Sequence, residues 1–575
     1  MGGLMQLVNK GAQDQLVCGN PSFTHFRSVY KRHTDFAMEQ FELVFKTTNL
    51  QLPASGSLTL RAKVEQFAQL VNDCYLILTL PNIYSPIAAT TTTHSNLNSN
   101  SNAIGYEFQW VRNIGYNMIN YAAVVINGQE VVRHTGEWMK LYADMNFDAN
   151  KKSMVDAMVG NIPQLYDPSN AYDRMNQYPH AISRASSPAE PSMYGQVLNI
   201  PLHFWFCENV GSALPIGALQ YSTVEIVVEL KNMYQLFTIR DVREYIGGVA
   251  NSNFGVRIAP DSSSPVMTMN NFLSPPTYSP SPVPTNPTLM YWKLNPFIEA
   301  NYIFLNDAEL IHITKNEHSF IMKQVDVTSG DGLAGASNDT LVLMRNLCTQ
   351  LVWVAQRFDR SQQNDYDNYT NWVDPYRPPQ DSTGLLYMTP QYSSGNAIPT
   401  NTSQRDILLE SAIILDGKER FSYKQTYFFS QLQNYRHQTG RTSRGLPGVY
   451  SYSFALEHGT TQPSGHMNGS MFNKPILRNT YVQPVLADVQ SGQTQTIICV
   501  LKATANSANP TIVDPTAKDQ YGKPLYGPND IVTVVQTGSA LGTSQYQYTY
   551  NVRIFVESYN YLRIMGGIAN VVFSS

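Results

Sequence analysis

Short runs rich in β-branched and aromatic residues recur along almost the whole chain, and each is bounded by Pro, Gly or Asn. This pattern is typical of β-strands, because such side chains pack well on a pleated surface and the bounding residues favour turns. The runs lie at 71–82, 121–132, 196–206, 221–230, 297–310, 340–358, 449–458, 494–503 and 548–565. We therefore predict an all-β protein with few, short helices.

One segment of the first half of the chain recurs in the second half. Residues 124–145 align with residues 412–433, so that an Asn-Gly pair at 127–128 coincides with an Asp-Gly pair at 416–417. Such a pair between apolar runs is a strong hairpin signal, because both of its residues accept a positive φ. The recurrence indicates that one β domain has been duplicated.

The segment that follows the first of these turns has helical character. In "GEWMKLYADM", residues 136–145, Trp138, Leu141 and Tyr142 fall on one face at helical spacing. The alignment of the two halves places Tyr427 opposite Trp138. We predict a helix of two to three turns here.

A Pro- and Ser-rich stretch, "SPPTYSPSPVPTNP" (274–287), divides the chain near its midpoint. Its six prolines in fourteen residues exclude a helix or a central strand and favour an extended path. Many short strands in two large halves fit two consecutive eight-stranded jelly rolls, a double jelly roll. The expected divisions are an N-terminal arm at 1–27, a first jelly roll at 28–240, an inter-domain linker at 241–294 and a second jelly roll at 295–575.

The charge composition disfavours a protein that coats nucleic acid. Charged residues make up 14% of the chain, well below the usual ~25%, and the net charge is −4. Coating nucleic acid requires a basic excess, so we expect no direct contact with nucleic acid. Low charge suits a surface that is buried against other chains. The polar stretches 88–102 and 361–403 are too polar for a core and too long for turns, which predicts loop insertions.

Other sequence features point to a reducing compartment. The five cysteines are an odd number, lie far apart and form no Cys-x-x-Cys pair, which favours reduced thiols over a disulfide framework or a zinc site. No apolar run reaches the ~18–20 residues of a membrane span. The N-terminal residues lack signal-peptide features, and Gln6 stands where a myristoylation signal has Ser or Thr. We therefore expect the chain to be made in the cytoplasm.

The segment "FRSVYKRHTDFAMEQFELVF" (26–45) concentrates basic and aromatic residues before an alternating apolar run. It is open to interpretation as a nucleic-acid arm, a catalytic cluster or a structural anchor at the start of a β domain. Four basic positions in an acidic chain make a poor phosphate track, which favours the structural anchor. The predicted contact residues are Phe23, Phe26, Arg27, Tyr30, Lys31, Arg32 and His33.

We predict no catalytic, cofactor-binding or metal-binding residues. "HTGE" (134–137) has a His and a Glu with ligand-like spacing but no third ligand nearby, which favours a surface turn. His312 and His318 are expected on one face of a strand, and His203 in "PLHFWF" is expected to be a packed strand histidine. No Gly-x-Ser-x-Gly, His-Glu-x-x-His or Ser/His/Asp signature occurs. Paired carboxylates for glycoside hydrolysis need only spatial proximity and stay open as an alternative.

Several motifs occur in the order found in one known family. The N-terminal residues contain Gly-Ala-Gln-Asp, then Gly-Asn-Pro, then an aromatic-rich stretch that runs into Tyr, two basic residues, His and Thr. These are Gly11 to Asp14, Gly19 to Pro21, Phe23 and Phe26, and Tyr30 to Thr34. Further motifs are "INGQEVVRHTGEW" (126–138), "LPIGALQYSTVEIVVEL" (214–230), "FIEANYIFLNDAEL" (297–310), "SRGLPGVYSYSFALE" (443–457), "QPSG" (462–465) and the C-terminal "NYLRIMGGIANVVFS". The chain resembles the major capsid proteins of nucleocytoplasmic large DNA viruses from end to end.

The resemblance implies a structural virion protein and not an enzyme. Members of the family stack two jelly rolls per chain and trimerise into pseudo-hexameric capsomers, which tile an icosahedral shell around an internal membrane. Two similar domains repeated three times about an axis give six similar wedges, which supports this arrangement independently. By resemblance, the N-terminal arm faces the shell interior, near minor capsid proteins and the membrane but not inserted in it. The implied location is the virion capsid, after synthesis in a cytoplasmic viral factory, and no cofactor is implied.

Four Asn-x-Ser/Thr sequons offer candidate glycosylation sites. By resemblance the second domain faces outward, where glycans would be accommodated. The acceptor residues would be Asn338, Asn368, Asn401 and Asn468. An alternative function of another class follows from the same sandwich, namely a viral surface protein that binds or cleaves glycans.

Overall fold

The computed structural model shows two jelly rolls in series. It describes residues 2–47, 50–85, 106–174, 177–182, 189–241, 245–246, 249–250, 257–264, 267–275, 292–333, 337–358, 360, 363–371, 375, 405–440, 447–460, 462–482, 495–501, 531–537 and 549–573. The predicted insertion at 88–102 lies outside these residues. None of the helices in the described ranges combines the length and the apolar content that crossing a membrane requires.

The first jelly roll consists of two four-stranded antiparallel sheets. Its strands are β1 (Phe36–Val44), β2 (Leu58–Lys63), β3 (Leu70–Thr79), β4 (Ile119–Ile126), β5 (Gln129–Thr135), β6 (Val197–Pro201), β7 (Val224–Leu230) and β8 (Phe297–Leu305). One sheet has the order β1-β8-β3-β6 and the other β2-β7-β4-β5. This pairing of first with eighth and second with seventh strands is that of a jelly roll.

The second jelly roll repeats this topology. Its strands are β9 (His318–Leu333), β10 (Ser337–Leu341), β11 (Leu347–Arg357), β12 (Leu408–Leu415), β13 (Lys418–Glu419), β14 (Val449–Ser453), β15 (Pro475–Tyr481) and β16 (Tyr550–Met565). The sheets have the orders β9-β16-β11-β14 and β10-β15-β12-β13, so each strand has the same place as its counterpart in the first jelly roll. The predicted fold class and the duplication are confirmed.

Shorter elements decorate the two sandwiches. The helices include Gly2–Val8, Asp14–Cys18, Ile114–Met118, Gly136–Asn146, Ala149–Met158, Pro163–Tyr166, Trp205–Glu208, Asn270–Leu273, Asp307–Lys315 and Gln433–His437, with a π-helical turn at Phe428–Leu432 and 3₁₀ turns at Ala171–Asp173, Val210–Ser212, Ile216–Ala218, Met233–Gln235 and Gly469–Met471. The additional strands include Tyr106–Trp110, Phe237–Asp241, Tyr245–Ile246, Val249–Ala250, Arg257–Ile258, Lys424–Gln425, Met467–Asn468, Gln495–Leu501, Ile531–Thr537 and Ile568–Val571. The predicted helix at 136–145 is therefore present.

The hairpins predicted in each half form as the sequence indicates. The turn between β4 and β5 has Asn127 at φ 52° and Gly128 at φ 80°, and the turn between β12 and β13 has Asp416 at φ 48° and Gly417 at φ 81°. Two successive positive φ values are the geometry that best matches the twist of paired strands. A chain segment with a helical turn or helix follows each hairpin.

The boundary between the jelly rolls lies after Leu305, and the division expected at residue 295 is wrong. Strand β8 pairs along its whole length with β1, from Phe36 opposite Leu305 to Val44 opposite Phe297. It also pairs with β3 on its other side. In the sequence the Pro-rich stretch therefore separates β7 from β8 and not one jelly roll from the next, because the first sandwich is incomplete without its eighth strand.

Two predicted strands differ from the observed elements. The run 297–310 stops at Leu305, because Asn306 caps a new helix, Asp307–Lys315, by accepting a hydrogen bond from the Glu309 N–H at 3.0 Å. His312 lies in that helix and His318 begins β9, so the expected shared strand face is wrong. The run 340–358 is divided between β10 and β11, which belong to different sheets.

Candidate assembly surface

All seven contact residues that the sequence predicts lie in residues 2–35, which extend past the arm expected at 1–27 and are called the arm from here on. Every residue from 2 to 40 is exposed, and neither of the arm's two short helices has a buried residue. Phe26 is 98% exposed and Tyr30 is 87% exposed. Large apolar side chains are rarely left in water in such numbers without a partner. The seven residues, all exposed, are Phe23, Phe26, Arg27, Tyr30, Lys31, Arg32 and His33.

The arm meets the body of the protein just before β1. The Thr34 hydroxyl donates a hydrogen bond to Glu309 Oε1 at 2.7 Å, which ties the chain to the helix between the two jelly rolls. The neighbouring His33 Nδ1 lies 2.8 Å from the Thr34 carbonyl oxygen. Residues 34–36 therefore anchor the chain at the start of the first sandwich, and the basic and aromatic residues before them face solvent.

Strand β1 adds a second unpartnered surface. It is the outer strand of its sheet, and Phe36 and Met38 on it are exposed. An outer strand presents backbone N–H and C=O groups along its free edge, so it is a ready template for contact with another chain. The exposed apolar surface thus continues from the arm into the first sandwich.

The two jelly rolls are joined by a buried apolar interface. Trp138 and Leu141 on the helix Gly136–Asn146 pack against Val352, Val354 and Phe555 of the second jelly roll. Strand β11 is therefore buried on both faces, because its other face lies in the core of its own sandwich. The predicted helix face is confirmed, and its partner is the neighbouring jelly roll.

The "HTGE" segment is not the surface turn that the sequence suggested. His134 is buried at the end of β5, and Thr135 caps the following helix by accepting a hydrogen bond from the Trp138 N–H at 3.2 Å. Glu137 accepts a hydrogen bond from the Tyr369 hydroxyl at 2.8 Å, and its Oε2 lies 2.5 Å from Arg553 Nε. The segment joins the jelly rolls instead of facing water. Within the described ranges, no group of three or more His, Cys, Asp or Glu side chains is placed to hold a metal ion.

His203 is packed as expected, but it follows β6 and does not lie in a strand. Its Nε2 lies 2.8 Å from the Tyr116 hydroxyl. Burial lowers the pKa of His203 to about 3, with further lowering by His134 and Lys151. Burial also lowers the pKa of His134 to about 4. Both imidazoles are therefore neutral at physiological pH, which suits structural roles.

A partly buried lysine links the two jelly rolls electrostatically. Lys323 Nζ on β9 lies 2.9 Å from Glu208 Oε2 in the first jelly roll and 3.9 Å from Glu557 Oε1 on β16. Burial by itself lowers the pKa of Lys323, but Glu208, Tyr142 and Glu557 outweigh it and raise that pKa overall. The ammonium charge is therefore retained inside the contact between the jelly rolls.

One polar cluster is not predicted by any short sequence motif. It consists of Ser453, His458 and Glu557. Ser453 Oγ lies 2.6 Å from His458 Nε2, but His458 Nδ1 and Glu557 Oε2 are 3.9 Å apart, beyond hydrogen-bonding distance. The Glu557 carboxylate instead accepts hydrogen bonds from Gln350 Nε2 at 2.5 Å and from the Thr349 hydroxyl at 3.2 Å. Burial lowers the pKa of His458 to about 3. This geometry is that of a buried polar network and does not favour a nucleophile with its general base.

The predicted insertion at 361–403 is in part a buried structural segment. Asn364 donates hydrogen bonds to the backbone carbonyls of Tyr234 at 2.8 Å and Phe237 at 2.9 Å, both in the first jelly roll. Asp367 Oδ1 lies 3.6 Å from Lys140 Nζ. Residues 363–371 therefore pack against the first jelly roll, and their polar side chains replace water there.

The four sequons differ in their surroundings. Asn468 is exposed and caps a 3₁₀ turn through its side chain. Asn338 is half-buried on β10, opposite Asn479 of β15. Asn368 is 1% exposed and its Oδ1 accepts a hydrogen bond from the Thr370 N–H at 3.1 Å, so the folded chain leaves no room for a glycan there. Asn401 lies outside the described residues.

A cavity of about 580 Å³ is lined by residues of the segment that connects β5 to β6 in the first jelly roll. Tyr172 and Tyr194 line it and are otherwise exposed, and Arg174, His180 and Glu190 supply polar groups. The Tyr172 backbone has a φ of 55°, which is uncommon for a residue other than glycine. None of the cluster around Ser453 lines this cavity.

Comparisons with known proteins give consistent similarities. Residues 24–264 match the family described as "Major capsid protein N-terminus", and residues 309–509 match "Large eukaryotic DNA virus major capsid protein". The major capsid protein of Phaeocystis pouchetii virus is 25% identical over 551 residues, which are 84% of this chain and 94% of that protein. That of Paramecium bursaria Chlorella virus 1 is 23% identical over 581 residues and is covered completely, as is this chain. A solved structure of the PBCV-1 virus capsid superposes with a TM-score of 0.56 at 18% identity, covering 96% of this chain and 100% of that one.

Proposed function

The chain belongs to the family of large eukaryotic DNA virus major capsid proteins, structural subunits of a virus capsid, and we propose that three copies of it form a pseudo-hexameric capsomer. The observation that carries this proposal is the identical strand order of the two jelly rolls. Three copies around an axis then present six similar sandwiches. Capsomers of this outline tile an icosahedral shell of a large double-stranded DNA virus.

The coupling between the jelly rolls supports this proposal. The apolar interface around Trp138 and the ion pair of Glu137 with Arg553 hold the two sandwiches together as one wedge. A wedge that keeps its shape gives a defined angle between neighbours, which a closed ring requires. Loose domains would not fix that angle.

The exposed surface supplies the contacts that assembly needs. Twelve large apolar side chains within residues 2–38 are exposed. We propose that the arm lies on the inner side of the shell and contacts minor capsid proteins near the internal membrane, without inserting into it. A standard interface buries about 1,600 Å², and many such contacts in a lattice stabilise a shell. Four clustered basic residues in a chain of net charge −4 do not favour packaging of nucleic acid.

The experiment that tests the capsomer is the solution mass of the purified full-length chain. Light scattering should give three times 64.5 kDa, and negative-stain images of that species should show a hexagonal outline. The protein would be made in the host cytoplasm, in a viral factory, and then incorporated in the virion. A folded chain that stays monomeric at the protein concentrations at which shells assemble would contradict the proposal.

Glycan attachment is a separate proposal for the second jelly roll. Among the three sequons within the described residues, Asn468 has the most accessible acceptor. Peptide mapping of virion protein should find a glycan on the Asn468 peptide and none on the Asn368 peptide. An unmodified Asn468 peptide would contradict this assignment.

The cavity lined by Tyr172 and Tyr194 favours glycan binding as a second candidate function. Two exposed aromatic rings beside Arg174, His180 and Glu190 combine apolar surface with polar groups, as small-molecule sites do. Saturation-transfer NMR with a panel of oligosaccharides should show binding that Tyr194→Ala abolishes. The matched control is Tyr435→Ala, which removes an exposed tyrosine of the second jelly roll. An equal loss of oligosaccharide binding in both variants would contradict a specific site.

A further inference from the structure

The fold brings together two cysteines that are far apart in the sequence. Cys74 lies on β3, and Cys207 lies in the helix Trp205–Glu208 that follows β6. The Leu202 N–H donates a hydrogen bond to the Cys74 carbonyl oxygen at 2.9 Å, which places this stretch of chain alongside β3. Cys207 packs against the apolar core that contains Cys74, and the helix that carries Cys207 contacts β3.

The two thiols differ in their access to solvent. Cys74 is 2% exposed and is part of the core of the first jelly roll, whereas Cys207 is half-buried. Burial and the neighbouring Cys74 raise the pKa of the Cys207 thiol. The thiolate is the reactive form, so the pair reacts slowly, and an oxidant reaches Cys207 first.

We propose that Cys74 and Cys207 are a latent disulfide, which forms when the protein leaves the reducing cytoplasm and meets a low-molecular-weight disulfide. The Cys207 thiolate attacks one sulfur of glutathione disulfide and releases one glutathione thiolate. The Cys74 thiolate then attacks the Cys207 sulfur of the mixed disulfide and releases a second glutathione. Two protein thiols are oxidised, one small disulfide is reduced to two thiols, and the two protons end on the released glutathione or in solvent.

This disulfide would stabilise the first jelly roll. It would join β3, in the interior of its sheet, to the helix after β6, and would close a long loop of chain. Cross-links that close long loops remove the most conformational freedom from the unfolded chain. The chemistry is independent of the capsid function, and only the passage to an oxidising medium rests on that function.

The test uses the full-length protein and no variant for its first step. Protein kept under reductant and protein incubated with glutathione disulfide are denatured, alkylated and digested without reduction, and the peptides are identified by mass spectrometry. The expected product is a linked peptide pair of Cys74 and Cys207, two daltons lighter than the sum of its thiol forms. The oxidised protein should also unfold at a higher temperature, and a reductant should reverse the shift.

Variants separate this proposal from general thiol oxidation. Cys207→Ser should lose both the linked peptide and the temperature shift, and Cys207→Ala serves if the serine variant does not fold. Cys348→Ser removes a thiol from the core of the second jelly roll and should keep both. Complete alkylation of Cys74 and Cys207 after oxidation, a stable glutathione adduct on Cys207, or linkage of Cys207 to the exposed Cys18 would each overturn the proposal.

Discussion

The indole ring of Trp138 lies against the phenyl ring of Phe555, with ring centroids 5.5 Å apart and the planes inclined by 33°. One ring belongs to the helix after the hairpin of the first jelly roll, and the other to the longest inner strand of the second. Aromatic pairs at this separation contribute beyond the area that they bury. The contact therefore contributes to the coupling of the two sandwiches, together with the ion pairs and hydrogen bonds that cross the same interface.

Replacement of Trp138 by Ala should weaken that coupling. Removal of a fully buried Trp side chain costs about 3–5 kcal/mol, since it leaves a cavity that the neighbours fill only in part. We expect a lower denaturant midpoint and two separated unfolding transitions in place of a coupled one. Tyr427, at the aligned position of the second half, is 58% exposed, so Tyr427→Ala should change the stability by less than about 0.5 kcal/mol. Equal effects of the two variants would contradict the assigned interface.

The Glu137 carboxylate should matter more than an exposed carboxylate with similar geometry. Glu137→Gln removes the charge that faces Arg553 and alters the acceptor of the Tyr369 hydroxyl. We expect a loss of about 1–2 kcal/mol, because the pair is only partly screened by solvent. Glu130 forms a surface pair with Arg133, with N···O of 2.7 Å, and Glu130→Gln should cost less than about 1 kcal/mol. The test is to measure the free energies of unfolding of Glu137→Gln and Glu130→Gln in the same buffer and to compare each with the unmodified chain.

Mild acid should destabilise the fold through its buried histidines. The pKa values of His134, His203 and His458 are lowered by burial to about 4, about 3 and about 3. Below pH ~6.5 the unfolded chain binds protons that the folded chain rejects, so each histidine lowers the free energy of unfolding by up to about 1.4 kcal/mol per pH unit. The loss begins near pH ~6.5 and levels off below the folded pKa values.

The contribution of one buried histidine to acid destabilisation is isolated by comparing how steeply the free energy of unfolding depends on pH in different variants. Asp73, Asp326 and Asp365 have pKa values raised by burial, so they oppose the loss as the pH falls through those raised values. Unfolding curves between pH 7.5 and 5 should therefore show a shallower pH dependence in His203→Gln than in the unmodified chain. His312→Gln replaces a histidine on the helix between the jelly rolls, where no residue is buried, and should leave the slope unchanged. Parallel slopes in all three proteins would contradict neutral burial of His203.

Much of the architecture is readable from the sequence because its signals are local. Asn127-Gly128 and Asp416-Gly417 specify their turns through φ alone, and the helix face of Trp138 follows from spacing. The jelly-roll boundary was misplaced because the pairing of β8 with β1 joins residues more than 250 positions apart. No local pattern distinguishes the last strand of one sandwich from the first strand of the next.

For the candidate assembly surface, too, features that depend on neighbouring residues were predicted and features that depend on distant residues were not. The structural anchor was predicted from local composition, in which basic and aromatic residues precede the first strand, and the residues of that segment before β1 are exposed. The burial of His134 and Asn368 was not predicted, because His134 packs against Phe204 and the Asn368 carbonyl accepts a hydrogen bond from Gln356 Nε2 on β11, both distant in the sequence or fixed only by the fold. The approach of the helix that carries Cys207 to the strand of Cys74 likewise arises only from the packing of distant chain segments.

The arm should act in assembly and not in folding. Tyr30 and Tyr435 are both 87% exposed, so Tyr30→Ser and Tyr435→Ser should each leave the unfolding free energy within about 0.5 kcal/mol of the unmodified value. If the arm contacts neighbours beneath the shell, only the Tyr30 variant, and more strongly the double variant Phe26→Ser/Tyr30→Ser, should reduce incorporation into particles when co-expressed with the unmodified chain. Quantitative mass spectrometry of purified particles gives the ratio of variant to unmodified chain. Equal incorporation of the arm variants and the Tyr435 control would show that these exposed side chains contribute nothing to the shell.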